Sequence, residues 1–151
     1  MMLAHRKATF ELIAEAPAAE VGPLFGAERE RVWAPGWEPR FVHPAPAEDR
    51  RGMVFTVRRD DADDDAVWVN SQLDLERGVV QYVYVVPKMM TALITLRLSA
   101  RGARTHVEVT YERTALCPEA NARVEALSLE DGSSGPEWER QINAYLKTRT
   151  G

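Results

Sequence analysis

The chain has one cysteine, Cys117, among 151 residues, so no internal disulfide can staple the fold. A lone thiol suits a reducing cytosol. Its neighbours Leu116 and Pro118 point to a buried or capping position rather than an activated nucleophile. Histidine is scarce too. His5, His43 and His106 fall near strand ends or on a polar face, with no cysteine spacing that would hold zinc. There is no Gly-rich phosphate loop and no serine-nucleophile elbow. Basic charge is not in excess: the net charge is −4, and the basic residues form only short pairs such as Arg50-Arg51 and Arg58-Arg59. That argues against a nucleic-acid partner, whose phosphates demand a basic patch. No apolar run approaches the roughly 18–20 residues that span a bilayer. The start, MMLAHRKATFEL, lacks an apolar segment followed by a cleavage site, so a cytoplasmic location is expected.

What is present is the composition of an ordinary globular protein, with 45% hydrophobic and 28% charged residues. One domain over residues 1–151 is the simplest organisation. Lys7 to Glu15 reads as a strand with Phe10 and Leu12 on one face. AAEVGPLF then reads as a short helix cut by Gly22 and Pro23, and Ala27 to Trp33 as a second one. The chain turns at Ala34-Pro35-Gly36 and extends through Trp37 to His43.

From Gly52 the period becomes that of strands. MVFTVRR and AVWVNSQLDLE flank DDADDD, Asp60 to Asp65. Five aspartates in six residues cannot be buried unpaired, so this is a solvated hairpin tip. Read instead as a metal loop, it lacks the glycine and distal glutamate of an EF-hand, and no metal is expected. VVQYVYVVP is a dense strand ending at Pro87. Thr91–Ala100 and Arg104–Thr114 follow, and pairing across Arg101-Gly102-Ala103 puts Ile94, Leu96 and Leu98 with Val107, Val109 and Tyr111 on one face. Thr95, Arg97, Glu108, Thr110 and Glu112 fall on the other, as does His106. Pro118 to Glu130 has Ala120, Val124 and Leu127 at helical spacing. EDGSSGP interrupts the pattern, and Trp138, Ile142, Tyr145 and Leu146 resume an apolar stripe.

The order is a strand, two short helices, six strands and a helical tail. Short turns make neighbouring strands antiparallel, and the tail supplies the cover that one apolar sheet face needs. This ordered set resembles the START-like (SRPBCC) superfamily, which includes polyketide cyclases and the birch-pollen-allergen helix-grip proteins. The segments that carry the resemblance are FELIAEAPAAEV, PLFGAERERVWAPGW, GMVFTV, VWVNSQLD, VVQYVYVVP, THVEVTYERTAL and EWERQINAYL. Together they cover nearly the whole chain, and the PLF…ER.W..GW segment is similar to one bacterial subgroup. The resemblance implies an α+β helix-grip fold. In it a curved seven-stranded antiparallel sheet wraps a long C-terminal helix, with two short helices after the first strand. The break at EDGSSGP departs from the uninterrupted helix common in the superfamily.

The resemblance also implies a cavity between sheet and helix that binds a hydrophobic molecule such as a lipid or polyketide, with no cofactor. The candidate lining residues are Trp33, Trp37, Phe41, Phe55, Trp68, Asn70, Tyr82, Tyr84, Tyr111 and Trp138. Tyr and Trp join an apolar body to a polar handle, which suits such a site. Taken singly, each of these rings reads more readily as core filling; as a group, several read as lining the cavity. Asn70 and Gln72 alternate with Trp68 and point either into the cavity or to solvent, depending on register. Trp37 reads as a structural peg, and Trp33, closing a lid helix, as the better candidate for ligand contact. Glu28, Arg29, Glu30 and Arg31 read as a solvated charge run rather than a catalytic group. Three functions follow: a binding domain, a cyclase, aromatase or dehydratase acting in the same cavity, or a protein-interaction module like the chaperone-activating branch. Monomer and edge-strand homodimer both fit.

Overall fold

The computed structural model describes residues 2–60 and 62–150. Seven strands form one antiparallel sheet: β1 (His5–Ala14), β2 (Arg40–His43), β3 (Val54–Val57), β4 (Ala66–Asp74), β5 (Val79–Val86), β6 (Met90–Arg101) and β7 (Arg104–Ala115). Their order across the sheet is β1-β7-β6-β5-β4-β3-β2. Every connection from β2 onward joins neighbours. Only the link from β1 to β2 runs from one sheet edge to the other, and it carries the short helical elements.

Alternation along the strands makes one face apolar. On β5, Val80, Tyr82, Tyr84 and Val86 are buried while Val79, Gln81, Val83 and Val85 are only partly so. The β6–β7 register is the expected one, with Ile94 opposite Tyr111, Leu96 opposite Val109 and Leu98 opposite Val107. Thr95 and Thr110 pair on the other face, and His106 lies there beside Glu11 at 3.3 Å. Asp60, Asp63 and Asp64 are exposed between β3 and β4; Asp61 lies outside the described residues.

Between β1 and β2 the helices are shorter than the sequence suggests. Helix α1 covers only Ala18–Val21, followed by 3-10 turns at Gly22–Phe25 and Arg29–Val32. Pro23, with no N–H to give, breaks the ladder. Strand β2 begins at Arg40 rather than Trp37, because the Trp37 amide is spent on the Ala34 carbonyl at 3.3 Å in a turn.

The tail is two helices, α2 (Asn121–Gly132) and α3 (Gly135–Thr150), both lying against β1. Ser133 and Ser134 hydroxyls donate to the Glu130 carbonyl at 3.1 and 2.7 Å, satisfying the end of α2. Pro136 occupies the first turn of α3, where its missing N–H costs nothing. Gly135 is a packing requirement: a Cβ there would stand 2.6 Å from the Glu11 carbonyl oxygen. Val124, Leu127, Ile142 and Leu146 join one core with Phe10, Leu12, Val107 and Val109. Among the described residues, no helix is long and apolar enough to cross a membrane.

Candidate functional site

A cavity of about 280 Å³ lies between the inner face of the sheet, helix α3 and the segment from Phe25 to Trp37. The sheet contributes Trp68, Tyr82, Ile94, Leu96 and Tyr111, all at inward positions of β4 to β7. Helix α3 contributes Trp138 and Gln141, one helical turn apart. The third wall is the lid, with Phe25, Glu30, Trp33 and Trp37. Pro35 and Gly36 border the cavity yet are exposed, so the Ala34-Pro35-Gly36 turn marks its mouth.

Three ring donors pin the lid by its backbone. Trp33 Nε1 donates to the Leu24 carbonyl at 2.7 Å, Tyr82 Oη to Phe25 at 2.7 Å, and Trp37 Nε1 to Ala27 at 2.9 Å. Buried carbonyls that a 3-10 turn leaves unpaired are thereby satisfied. The rings also contact one another. Trp33 and Trp138 have centroids 5.4 Å apart, and Trp138 meets Phe10 edge-on at 5.0 Å. Both tryptophans of the VWAPGW stretch are therefore pegs and wall at once, and Trp33 is the more deeply buried.

The charge run at Glu28 to Arg31 is divided by the 3-10 turn. Arg31 pairs with Glu28 on the surface at 3.0 Å and Arg29 is exposed. Glu30 points the other way and lines the cavity, which corrects the reading of this run as wholly solvated. Among the described residues its carboxyl has no hydrogen-bond or salt-bridge partner. Burial, reinforced by the nearby charge of Asp49, pushes its pKa from 4.5 up to about 8. By accessible surface the residue is only partly buried. Asp49 is itself held, accepting from the backbone amides of Glu28 and Arg29 at 2.8 and 3.1 Å. The Tyr82 and Tyr111 hydroxyls are pushed well above the usual phenol range, by burial first and then by the charge of Glu30. Both stay neutral.

A second polar cluster lies on the same sheet face, outside the cavity. Arg113 Nε and Nη2 reach the two Asp131 oxygens at 2.7 and 2.8 Å, and Nη1 donates to Tyr84 Oη. The Arg113 guanidinium also lies 4.7 Å from the Tyr111 ring centroid.

Of the ten residues proposed from sequence, Trp33, Trp37, Trp68, Tyr82, Tyr111 and Trp138 line the cavity. The other four do not. Phe55 is fully buried behind Trp37 and Trp68, and Phe41 leans on Phe55 from a shallow outer groove. Tyr84 belongs to the Arg113 cluster. Asn70 is buried opposite Tyr82, and its Oδ1, like Trp68 Nε1, lacks a partner. Gln72 leaves the Trp68 face because a bulge after Asn70 shifts the register and sets it opposite outward-facing Gln81. Phe25, Gln141 and Glu30 are additions that sequence reasoning missed. For Glu30 a signal existed: it precedes Trp33 by three residues, and i, i+3 positions eclipse on a 3-10 turn.

No family model matches the chain and no curated protein matches it. Solved structures do. A point mutant of Thalictrum flavum norcoclaurine synthase, in complex with a transition-state analogue, superposes with a TM-score of 0.72 at 12% identity, covering 100% of this chain and 99% of that one. The Zhui aromatase/cyclase from Streptomyces sp. R1128 gives 0.68 at 17% identity over 98% and 97%. The Mll3558 protein from Rhizobium loti gives 0.63 at 17% identity over 96% and 99%. At such identities the likeness is one of fold. The chain has the helix-grip fold of these proteins.

Proposed function

We propose that the protein binds a small, largely apolar molecule in the aromatic cavity under its pinned lid. The observation that carries this is a space open at one mouth and walled by four tryptophans and two tyrosines, with one unpaired carboxyl, Glu30, placed to orient what enters. Ligand sites have this make-up: apolar walls with few convergent polar groups, in roughly 300–1,000 Å³. At about 280 Å³ the cavity suits a molecule of one to three rings. A norcoclaurine synthase of the same fold has been crystallised with dopamine and hydroxybenzaldehyde, which are molecules of that size.

A second reading, an enzyme of the cyclase, aromatase or dehydratase type, draws on one specific feature. Glu30, with a pKa of about 8, is poised to hold or give a proton near neutral pH, which is what general acid–base catalysis needs. The interaction-module reading draws nothing from this interior, which is not solid.

The test is fluorescence titration with N-phenyl-1-naphthylamine, a neutral dye that brightens in apolar sites, alongside native mass spectrometry of protein from its own host. Dye binding should be abolished by Ala34→Trp, which fills the mouth, in a variant whose cooperative melting shows that it has folded. Dye binding that persists unchanged in Ala34→Trp would place the ligand elsewhere and sink the proposal.

A further inference from the structure

We infer that the molecule this cavity is built for carries a positively charged nitrogen on a compact aromatic or apolar body. This deepens the binding reading above and rests on it.

The first support is the charge of the wall. Among the described residues, Glu30 is the only one lining the cavity that can carry a formal charge near neutral pH. The cations nearby are engaged elsewhere: Arg31 is turned outward onto Glu28, and Arg113 is held by Asp131. A buried carboxyl with no partner is costly, and a fold that merely needed a lid turn would gain by pairing it.

The second is what the rings offer. An anionic ligand requires a positive charge or several convergent donors, and the cavity offers no cation and has committed most of its lid-side donors. The Trp33, Trp37 and Tyr82 donors are spent on lid carbonyls, and the Gln141 amide donates to Glu137 at 2.8 Å. What is left facing inward is mostly aromatic surface, with Trp68 Nε1 an unpartnered donor within it. The faces of indole and phenol rings carry negative potential and attract cations, most strongly where water is excluded. Aromatic walls plus one carboxyl make a space of a single sign, and its complement is an organic ammonium.

The third is the proton. Facing Glu30 are Asp49 from the loop before β3, Tyr82 from β5, Tyr111 from β7 and Gln141 from α3, with Arg113 behind Tyr111. None of these supplies a positive charge to the carboxyl directly, so the empty site keeps its proton up to pH about 8. An entering cation favours the carboxylate and expels that proton to solvent. Affinity for a permanently charged ligand therefore rises with pH, by up to about tenfold per unit, and levels off above pH about 8.

The experiment is displacement of N-phenyl-1-naphthylamine by benzyltrimethylammonium, whose charge does not titrate, and by its neutral carbon isostere neopentylbenzene, from pH 6 to 9. The expected result is a rising pH profile for the cation alone. Glu30→Gln flattens that profile and weakens the cation by about tenfold or more at pH 8.5, relative to neopentylbenzene titrated on the same variant. A cooperative melting curve of the variant shows that it has folded. If neopentylbenzene displaces the dye as well as the cation does at every pH, the inference is overturned while the binding reading stands. It is overturned equally if cation affinity falls with rising pH, since the protonated acid would then be the recognised form. If the dye itself does not bind, both fall.

Discussion

Arg113 and Asp131 form a two-point ion pair that joins strand β7 to the end of helix α2. Nε lies 2.7 Å from Oδ2 and Nη2 2.8 Å from Oδ1, and both side chains are more than nine-tenths buried. Asp131 belongs to EDGSSGP, the stretch that breaks the terminal helix. The break is thus anchored: its acid is drawn inward onto β7, and its Gly135 lies flat on the backbone of β1. Tyr111, which walls the cavity, lies under the same guanidinium.

Asp131→Ala leaves that guanidinium buried without its counter-charge. Removing one member of such a pair costs about 3–5 kcal/mol. Urea unfolding should show a loss of that order, whereas Asp131→Leu combined with Arg113→Met should lose far less. A single-variant loss below about 1 kcal/mol would mean that solvent reaches the pair.

Glu30 makes stability fall as pH rises. Its folded pKa, about 8, lies above the ordinary 4.5, so the native state holds a proton that the unfolded chain has released. The contribution is fully present below pH 4.5 and is lost as pH climbs through about 8. Glu30→Gln removes this slope. Relative to wild type, the variant should gain on the order of 1–3 kcal/mol between those limits, less than the full linkage value because the open mouth lets solvent screen the charge. Melting curves at pH 5 and pH 9 compare the two proteins directly; parallel behaviour would contradict the buried position.

Trp33→Phe keeps a ring in the wall and deletes the donor to Leu24. The carbonyl left unsatisfied should cost about 1–3 kcal/mol. Hydrogen exchange of the amides between 24 and 33 should accelerate more than that of β6 and β7, since the lid opens first. Equal acceleration throughout would show that the bond supports the whole fold rather than the lid.

Gly135→Ala would normally help a helix start. Here the new methyl meets the Glu11 carbonyl at 2.6 Å, so backbone must move. A loss of about 1–3 kcal/mol is expected, as for overpacked sites. No loss in thermal melts would mean that α3 rides higher over β1.

The hairpin of β6 and β7 was legible in full, because strict alternation leaves only one register that keeps Ile94, Leu96, Val107 and Val109 out of water. The helical break was legible from Gly132, Gly135 and Pro136, whose backbone preferences are local. Site residues read less evenly. Trp68 and Tyr82 were found because aromatic residues at inward strand positions must face the covered side. Gln72 stood open between cavity and solvent, and one bulge decides it, an irregularity that leaves no mark on composition. Glu30 was read as solvated because a charge among charges normally is, and only the tight pitch of a 3-10 turn separates it from its neighbours.

The sequence by itself determined the order of the elements along the chain, the antiparallel pairing of consecutive strands and the buried face of the β6–β7 hairpin, since these follow from hydrophobic period and turn chemistry. Tertiary structure alone decided which rings wall a space and which fill the core, where Arg113 finds its acid, and that one carboxylate faces inward without a partner. Those outcomes depend on contacts between residues far apart in the chain, such as Tyr82 with Phe25 or Arg113 with Asp131, and no local preference encodes them.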